Sequence, residues 1–307
     1  MKKALVLGAE QQMGNLLCQA LNKHHWDVVA AISDHTQPVF LSDNLMIAEM
    51  APDDHALMEQ LVSESETVFL HLPDPCAGPL CSFSLDTLIE LVARYQRHLV
   101  LTTNHYDIHH SMGNWLWQRK APLPLHLPAS LTARIQQAVA TGASVSVVCF
   151  GYSLDDQFQR SFLGMLIKET SQKLILQSPS PYELCHYWTF LPDLAENLVH
   201  RLTEQPCQPT GLDVFFYRGY KANMQDIARC LALSSGKPVS VMPLHWPLFG
   251  LLALFSPLFR GFTKMRRFWQ QGGQLAITGK LRGHPAMTHT PLELAMQHCW
   301  NKRRRPA

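Results

Sequence analysis

The sequence predicts an α/β fold, a doubly wound parallel sheet followed by a smaller C-terminal unit of mixed α/β character. Three observations predict it. Short, fully apolar runs alternate with amphipathic helical stretches through the first half of the chain. Strands that are apolar along their whole length belong to a sheet covered on both faces, and a repeating β-α order supplies the crossovers that parallel strands need. The chain has 307 residues, and cores stop growing at about 250–300 residues, so a second unit is expected.

Each element has its own signal. The apolar run 4–7 is the first strand, ended by Gly8. A helix follows over 12–23, because Met13, Leu16, Leu17, Ala20 and Leu21 recur with a period near 3.6. Runs 28–32 and 45–48 are the second and third strands, and 54–62 is helical. The fourth strand covers 67–72, and a helix runs over 84–95. The fifth strand covers 98–103, a helix 130–140, and the sixth strand 144–150. Beyond 150 the pattern loosens, with a helix over 193–202 and a strand over 212–217. A helix over 223–234 starts at Asn223 as N-cap with Asp226 three residues on, close to a capping box. Gly236 with Pro238 beyond it ends that helix. The last helix covers 291–300, with Pro291 one position inside its start. This places the parallel-sheet domain at 1–150, with 186–220 returning to it, and a smaller domain mainly within 151–307.

Composition narrows the classes. Hydrophobic residues make up 47% and charged residues 16%, the balance of a well-buried globular chain. A net charge of +2 gives no field that argues for nucleic acid. The terminal Lys302, Arg303, Arg304 and Arg305 read as a solvated tail. Eight cysteines form no C-x-x-C pair, and no His follows Cys76 and Cys81 at zinc spacing, so no structural metal is expected. Several cysteines sit in apolar runs, as buried thiols of a reducing compartment do. Met-Lys-Lys leads at once into the first strand, so the sequence reads as that of a cytoplasmic protein without a signal peptide.

The first strand runs into Gly8-Ala9-Glu10-Gln11-Gln12-Met13-Gly14, which opens the first helix. A glycine at the strand end permits a tight turn. A glycine at the helix start lets helix and strand pack closely. The helix N-terminus then offers N–H groups and a positive dipole end to a pyrophosphate. Gly8, Ala9, Gln11, Gln12, Met13 and Gly14 are therefore cofactor-site candidates. Gln11 stands where G-x-x-G-x-x-G has its middle glycine, and a side chain or strained backbone there would cost about 1–3 kcal/mol. Asp34, with Ser33 before it, lies past the second strand, where a carboxylate can hold the ribose 2′-OH of NAD. A turn-forming role for Ser33-Asp34-His35 is equally open. No Arg or Lys stands nearby for a 2′-phosphate, which favours NAD over NADP.

With these residues the chain resembles the extended or atypical short-chain dehydrogenase/reductase family, also called NAD-dependent epimerase/dehydratases, over most of its length. Gly8-Ala9 with Gly14 is similar to the family's Rossmann-type nucleotide loop. Val68-Phe69-Leu70-His71-Leu72 resembles the fourth strand, whose end lines the cofactor site, so the resemblance adds His71 and Leu72 to the cofactor candidates. Leu99-Val100-Leu101-Thr102-Thr103-Asn104 resembles the strand that carries the family's Ser/Thr. Phe190-Leu191-Pro192-Asp193-Leu194-Ala195, the stretch from Gly219 to Gly236, and His289-Thr290-Pro291-Leu292-Glu293-Leu294 resemble later family segments.

The catalytic set implied by the resemblance is a Tyr-x-x-x-Lys pair, in which the lysine lowers the tyrosine pKa. The pair is read as missing: Lys120 lies where the lysine would fall, and Leu116 is four residues before it. Thr102, Thr103, Tyr106 and Lys120 are the candidate catalytic remnants, with His105, His109 and His110 as substitutes able to exchange protons. Ordinary strand or loop roles stand beside each of them.

Two further segments carry information. The apolar run 247–259 is short of the about 20 residues that span a bilayer, and Arg260, Lys264, Arg266 and Arg267 follow it. Burial in the small domain is the preferred reading, ahead of a membrane-surface segment, a pocket wall or a homodimer interface. The resemblance implies that the proline-rich stretch 121–128 borders the substrate, in a pocket that reads as apolar, and a plain connector role stands beside it. The leading function is an NAD(P)-binding oxidoreductase or epimerase-like enzyme acting on a small, fairly apolar molecule. The rivals are a non-catalytic dinucleotide-binding sensor or interaction protein, and a scaffold that has lost the cofactor.

Overall fold

The computed structural model describes residues 2–33, 40–51, 53–72, 85–104, 129–155, 158, 161–204, 211–255, 263, 266, 269–270 and 289–303. The first half runs β1 (Lys3–Leu7), α1 (Gln12–Lys23), β2 (Asp27–Ile32), β3 (Leu45–Glu49), α2 (His55–Glu64) and β4 (Thr67–His71). It continues through α3 (Leu85–Tyr95), β5 (His98–Asn104), α4 (Ala129–Ala140) and β6 (Ser144–Phe150). The second half opens with β7 (Tyr152–Leu154), α5 (Phe162–Met165), β8 (Ile167–Glu169), β9 (Leu174–Ser178) and β10 (His186–Phe190). Then come α6 (Leu191–Glu204), β11 (Gly211–Phe216), β12 (Tyr220–Ala222), α7 (Met224–Ser235), β13 (Val239–Pro243), α8 (Trp246–Leu252) and α9 (Leu292–Arg303).

The main sheet has seven strands in the order β11-β6-β5-β4-β1-β2-β3, and every pairing is parallel. This is a doubly wound α/β sheet whose strand order reverses beside β1. Its two faces follow from strand alternation. Leu5, Leu7, Val29, Ala31, Val68 and Leu70 pack on one side with Met58, Leu61, Leu88 and Val92 of α2 and α3. Ala4, Val6, Val28, Ala30 and Phe69 pack on the other with Met13, Leu17 and Leu21 of α1 and Leu194 and Leu198 of α6. So α6 and β11 belong with the main sheet although the chain reaches them only after β7–β10.

A second core gathers Tyr152, Phe158, Leu176, Trp188, Ile227, Trp269 and Trp300. It lies among two three-stranded sheets, β12-β10-β7 and β13-β9-β8. Helix α7 starts as its sequence predicts. The Asn223 side chain accepts from the N–H groups of Gln225 and Asp226, both at 2.9 Å, and Asp226 Oδ2 accepts from Asn223 N–H at 3.2 Å. It ends at Gly236 with φ +69°, the left-handed stop that glycine adopts most easily. The structure departs from the sequence reading at the apolar run 247–259. None of the α8 residues is buried, so the expected burial of this run does not hold for its described part.

Candidate functional site

The turn between β1 and α1 sits at the carboxyl edge of the sheet beside the reversal of strand order. Gly8 has φ +71°. The N–H groups of Gly8 and Ala9 both donate to Ala31 O, at 3.0 and 3.1 Å, and Gln11 N–H donates to Gly8 O at 3.0 Å. A Cβ on Gly14 would lie 2.3 Å from Gly8 O and 2.9 Å from Ala9 Cα. Only glycine allows the helix start to rest on the turn. Gln11 has φ −77° and ψ 154°, extended backbone open to any residue, so the backbone cost foreseen for a non-glycine here is absent. Its side chain folds over Gly8: the Gln11 amide lies 3.4–3.5 Å from where a Gly8 Cβ would stand. No side chain caps α1 at Gln11, so the helix start presents the backbone N–H groups of Gln12, Met13 and Gly14. The Met13 side chain is buried in the core, and its part at this turn is confined to its backbone.

Glu10 was not among the sequence candidates. Its Oε1 accepts from Ser33 Oγ at 2.9 Å and from Ser33 N–H at 3.4 Å, bridging the turn and the end of β2. Its Oε2 is buried and has no hydrogen-bond partner among the described residues. The available signal was an acidic residue inside a glycine turn that faces a helix N-terminus. Asp34 lies outside the described residues, as do Tyr106, Lys120, His105, His109 and His110.

A second group forms at the ends of β4, β5 and β6. His71 Nδ1 is 3.0 Å from Thr102 Oγ1 and 3.2 Å from Thr102 O, and its ring stacks on Phe150 with centroids 5.9 Å apart. A carbonyl only accepts, so the contact to Thr102 O requires the Nδ1–H tautomer and leaves Nε2 as the basic nitrogen. Thr102 and Thr103 are fully buried. Leu72 turns its side chain toward the core below the sheet, and its N–H donates to Thr102 O at 2.9 Å. The structure thus brings Gly8, Ala9, Gln11, Gln12, Gly14 and Ser33 into one corner and His71 and Thr102 into the next.

One Tyr-x-x-x-Lys does stand in the sequence, as Tyr217 and Lys221, which corrects the reading that the motif is missing from the chain. It does not form a catalytic pair. Lys221 lies on strand β12 just beyond Tyr217, and four residues of extended chain span about 13 Å, whereas on a helix they would face each other. Tyr217 is buried, its hydroxyl accepts from Asn197 Nδ2 at 2.8 Å, and burial pushes its pKa up to about 12. It keeps its proton at neutral pH.

Burial also pulls His71 down to about 4, against a smaller upward effect of the hydrogen bond to the Thr102 backbone. His98, whose Nε2 is 2.9 Å from Ser146 Oγ, is lowered by burial to about 4 as well. The unfolded chain protonates both near 6.5. It therefore binds more protons than the folded state between about pH 6.5 and 4, so stability is complete above that window and is lost as pH falls through it. The expected loss is on the order of 3 kcal/mol per imidazole, at 1.36 kcal/mol per pKa unit. Urea denaturation at stepped pH values checks this, and His71→Asn with His98→Asn should flatten the profile. An unchanged slope in the double variant would assign the effect to other groups.

Among the described residues no three His, Cys, Asp or Glu side chains could hold a metal ion, and no helix is long and apolar enough to cross a membrane. No protein-family model matches the chain, and no curated protein sequence matches it. Solved structures do. The chain is similar to a nucleoside-diphosphate-sugar epimerase from Staphylococcus aureus, with TM-score 0.62 and 12% identity over 98% of this chain and 96% of that one. It is similar to the leucoanthocyanidin reductase of Vitis vinifera in its complex with NADPH, with TM-score 0.69 and 11% identity over 97% and 99%. It is also similar to NmrA, a negative transcriptional regulator in complex with NAD, with TM-score 0.64 and 11% identity over 88% and 82%. Identities this low describe the fold. The chain has a Rossmann-type α/β fold.

Proposed function

We propose that the chain binds a nicotinamide dinucleotide at the carboxyl edge of the seven-stranded sheet and serves as an oxidoreductase or epimerase-like enzyme for a small, fairly apolar molecule. The observation that carries this reading is the β1–α1 turn. Its left-handed Gly8, the close approach that only Gly14 permits, and an uncapped helix N-terminus together fit a pyrophosphate. The backbone N–H groups of Gln12, Met13 and Gly14 would hold the phosphates, after the Gln11 side chain moves off Gly8. The proposed division of labour is 1–150, with the return of 186–220 through α6 and β11, for the nucleotide, and the rest of 151–307 for the substrate.

Glu10 and Ser33 would take the adenosine ribose, and the buried Oε2 of Glu10 is suited to accept from a ribose hydroxyl. A 2′-phosphate beside the same carboxylate would bring like charges together, which favours NAD over NADP. A bound nicotinamide would supply hydride transfer, and the protein positions it. His71 stays neutral at pH 7 and is too weak a base for proton transfer there, so it serves as an orienting group with Thr102 behind it. Proton exchange would fall to Tyr106 or Lys120, with Thr103 as a buried residue of β5. One observation favours the non-catalytic sensor: the titratable groups at the described strand ends are not tuned to neutral pH.

Thermal unfolding with each of NAD, NADH, NADP and NADPH tests the reading. A cofactor at about 100 times its dissociation constant should add roughly 2.7 kcal/mol. The expected result is a larger rise with NAD or NADH than with the phosphorylated forms. No rise with any of the four would remove the dinucleotide reading. Consumption of NADH in a panel of carbonyl compounds separates enzyme from sensor. In Glu10→Gln, measured by NADH and NADPH fluorescence titration, the affinity ratio should move about tenfold toward NADPH. An unmoved ratio would take the ribose role from Glu10.

A further inference from the structure

The connection between β9 and β10 sets a serine against a histidine, a pair that the nucleotide corner does not use. Ser180 Oγ lies 3.0 Å from His186 Nε2. The run Ser178-Pro179-Ser180-Pro181 that carries the serine is stiff, because each proline fixes its own φ and restricts the residue before it. Hydrogen bonds also tie it down. Ser178 Oγ donates to Ser180 O at 2.6 Å, Leu244 N–H to Ser178 O at 2.8 Å, and Trp246 Nε1 to Pro179 O at 3.2 Å. His186, on β10, is fully buried. Its ring packs against Trp269, with centroids 4.3 Å apart, and against Tyr152 at 6.0 Å, which holds Nε2 toward the serine.

A buried imidazole needs a partner, and a serine can supply one with no further role. Position sets this pair apart. Ser180 stands on the wall of an open cavity of about 350 Å³, within the range of small-molecule sites. The walls are mainly apolar, from Pro179, Pro181, Pro243, Leu244 and Trp246. Polar groups join Ser180 there. The Gln270 side chain lines the cavity, as do Tyr182 and Glu183, in the middle of a turn closed by Leu184 N–H donating to Pro181 O at 3.1 Å. The N–H groups of Tyr182 and Glu183 donate to no backbone carbonyl among the described residues, so two donors follow closely on the serine. The exposed Glu183 carboxylate gives the cavity a negative charge that disfavours anionic ligands.

We propose that this cavity is a hydrolytic site for neutral esters with small apolar acyl groups, with Ser180 as nucleophile and His186 as its general base. It stands apart from the nucleotide reading, because no cofactor takes part. A serine hydroxyl alone is a weak nucleophile, and a hydrogen-bonded imidazole activates it. For Nε2 to accept the Ser180 proton, Nδ1 carries the hydrogen of the neutral ring. Ser180 Oγ attacks the ester carbonyl carbon while its proton passes to His186 Nε2, and the carbonyl oxygen becomes a tetrahedral oxyanion. That charge falls to the N–H groups of the 182–183 turn and to the Gln270 amide. The bond to the alcohol oxygen then breaks, and His186 gives the proton to that oxygen, which releases the alcohol and leaves an acyl ester on Ser180. Water attacks this ester through the same relay and yields the carboxylic acid and free Ser180.

The full-length protein without added nucleotide tests the proposal. It is assayed with p-nitrophenyl butyrate and treated with a fluorophosphonate probe, whose adduct is mapped by peptide mass spectrometry. The expected result is hydrolysis above the buffer rate, a burst of p-nitrophenol as the acyl-enzyme fills, and the probe bonded to Ser180. Ser180→Ala should abolish burst and adduct and lower kcat/KM at least about 100-fold. Mono-p-nitrophenyl succinate, whose charge meets Glu183, should be cleaved about tenfold more slowly than the butyrate, and Glu183→Gln should narrow that gap. Should the alanine variant fail to fold, the adduct mapped on the parent protein still decides. The proposal is overturned by a rate no higher than that of buffer, by a probe that bonds elsewhere or nowhere, or by a burst that survives Ser180→Ala.

Discussion

Replacing Gly14 with alanine is expected to destabilise the protein by about 2–3 kcal/mol or more and to remove dinucleotide binding. Overpacking a tight contact costs roughly 1–3 kcal/mol when neighbours can shift. Here they cannot shift easily. The new Cβ would meet Gly8 O at 2.3 Å and Ala9 Cα at 2.9 Å, and both are backbone atoms of a turn pinned to Ala31 O by two hydrogen bonds. Relief requires α1 to move away from β1, but Met13, Leu17 and Leu21 are each no more than 1% exposed in the core between that helix and the sheet. A thermal melt should fall by roughly 5–10 °C. Gln11→Gly is the control. Its extended backbone gains nothing from glycine, so the variant should lose only about 0.5–1 kcal/mol of stability. It also clears the space over Gly8 and should tighten NAD binding about tenfold. A Gly14→Ala variant that melts like the parent would mean that helix and turn do not touch as described.

That contact was legible before the structure, as were the strands that feed it. Strands β1, β2, β4, β5 and β6 are runs buried on both faces, so hydrophobicity alone marks them, while the edge strand β3 keeps an apolar run without being buried. The Asn223 capping box and the Gly236 stop were legible because local chemistry decides them. The second unit was not. Strands such as β7, β8 and β12 are three residues long, too short to show a period. Strand β9 is buried only at alternate positions, and it pairs with β13 from more than 60 residues further along the chain. Only long-range contact defines such strands.

The site was legible to the extent that backbone geometry makes it. Gly8 and Gly14 are required by φ and by contact, and a glycine pattern reports both. Glu10 escaped because its role depends on Ser33, 23 residues away. His71 was placed correctly at a strand end, but its neutrality comes from burial, which no local pattern carries. The exposed α8 row misled in the opposite sense, because composition marks a residue as apolar without saying whether the fold has room to cover it.

Asp193 should prove the second most sensitive position. It stands in the first turn of α6, is only 6% exposed, and both its oxygens are used. Oδ2 accepts from Thr290 N–H at 2.7 Å and Oδ1 from Thr290 Oγ1 at 2.8 Å. Thr290 in turn accepts from Tyr220 OH at 2.5 Å through its carbonyl, and it leads into α9, whose Ala295, Met296, Cys299 and Trp300 are buried in the second core. Helix α6 packs on the main sheet, so one carboxylate ties the helix layer of the first core to the last helix of the second. Hydrogen bonds to a charged group contribute about 1.5–3 kcal/mol each, and a buried N–H left without an acceptor adds its own cost. Asp193→Ala is therefore expected to cost about 3 kcal/mol or more in urea denaturation. Asp193→Asn, which keeps an acceptor for one of the two donors, should cost about half as much. Thr290→Val removes only the hydroxyl, and paired with Asp193→Ala it should show a coupling of at least about 1 kcal/mol. Additive losses in that double variant would mean that Asp193 acts on α6 alone and that the two cores are held together elsewhere.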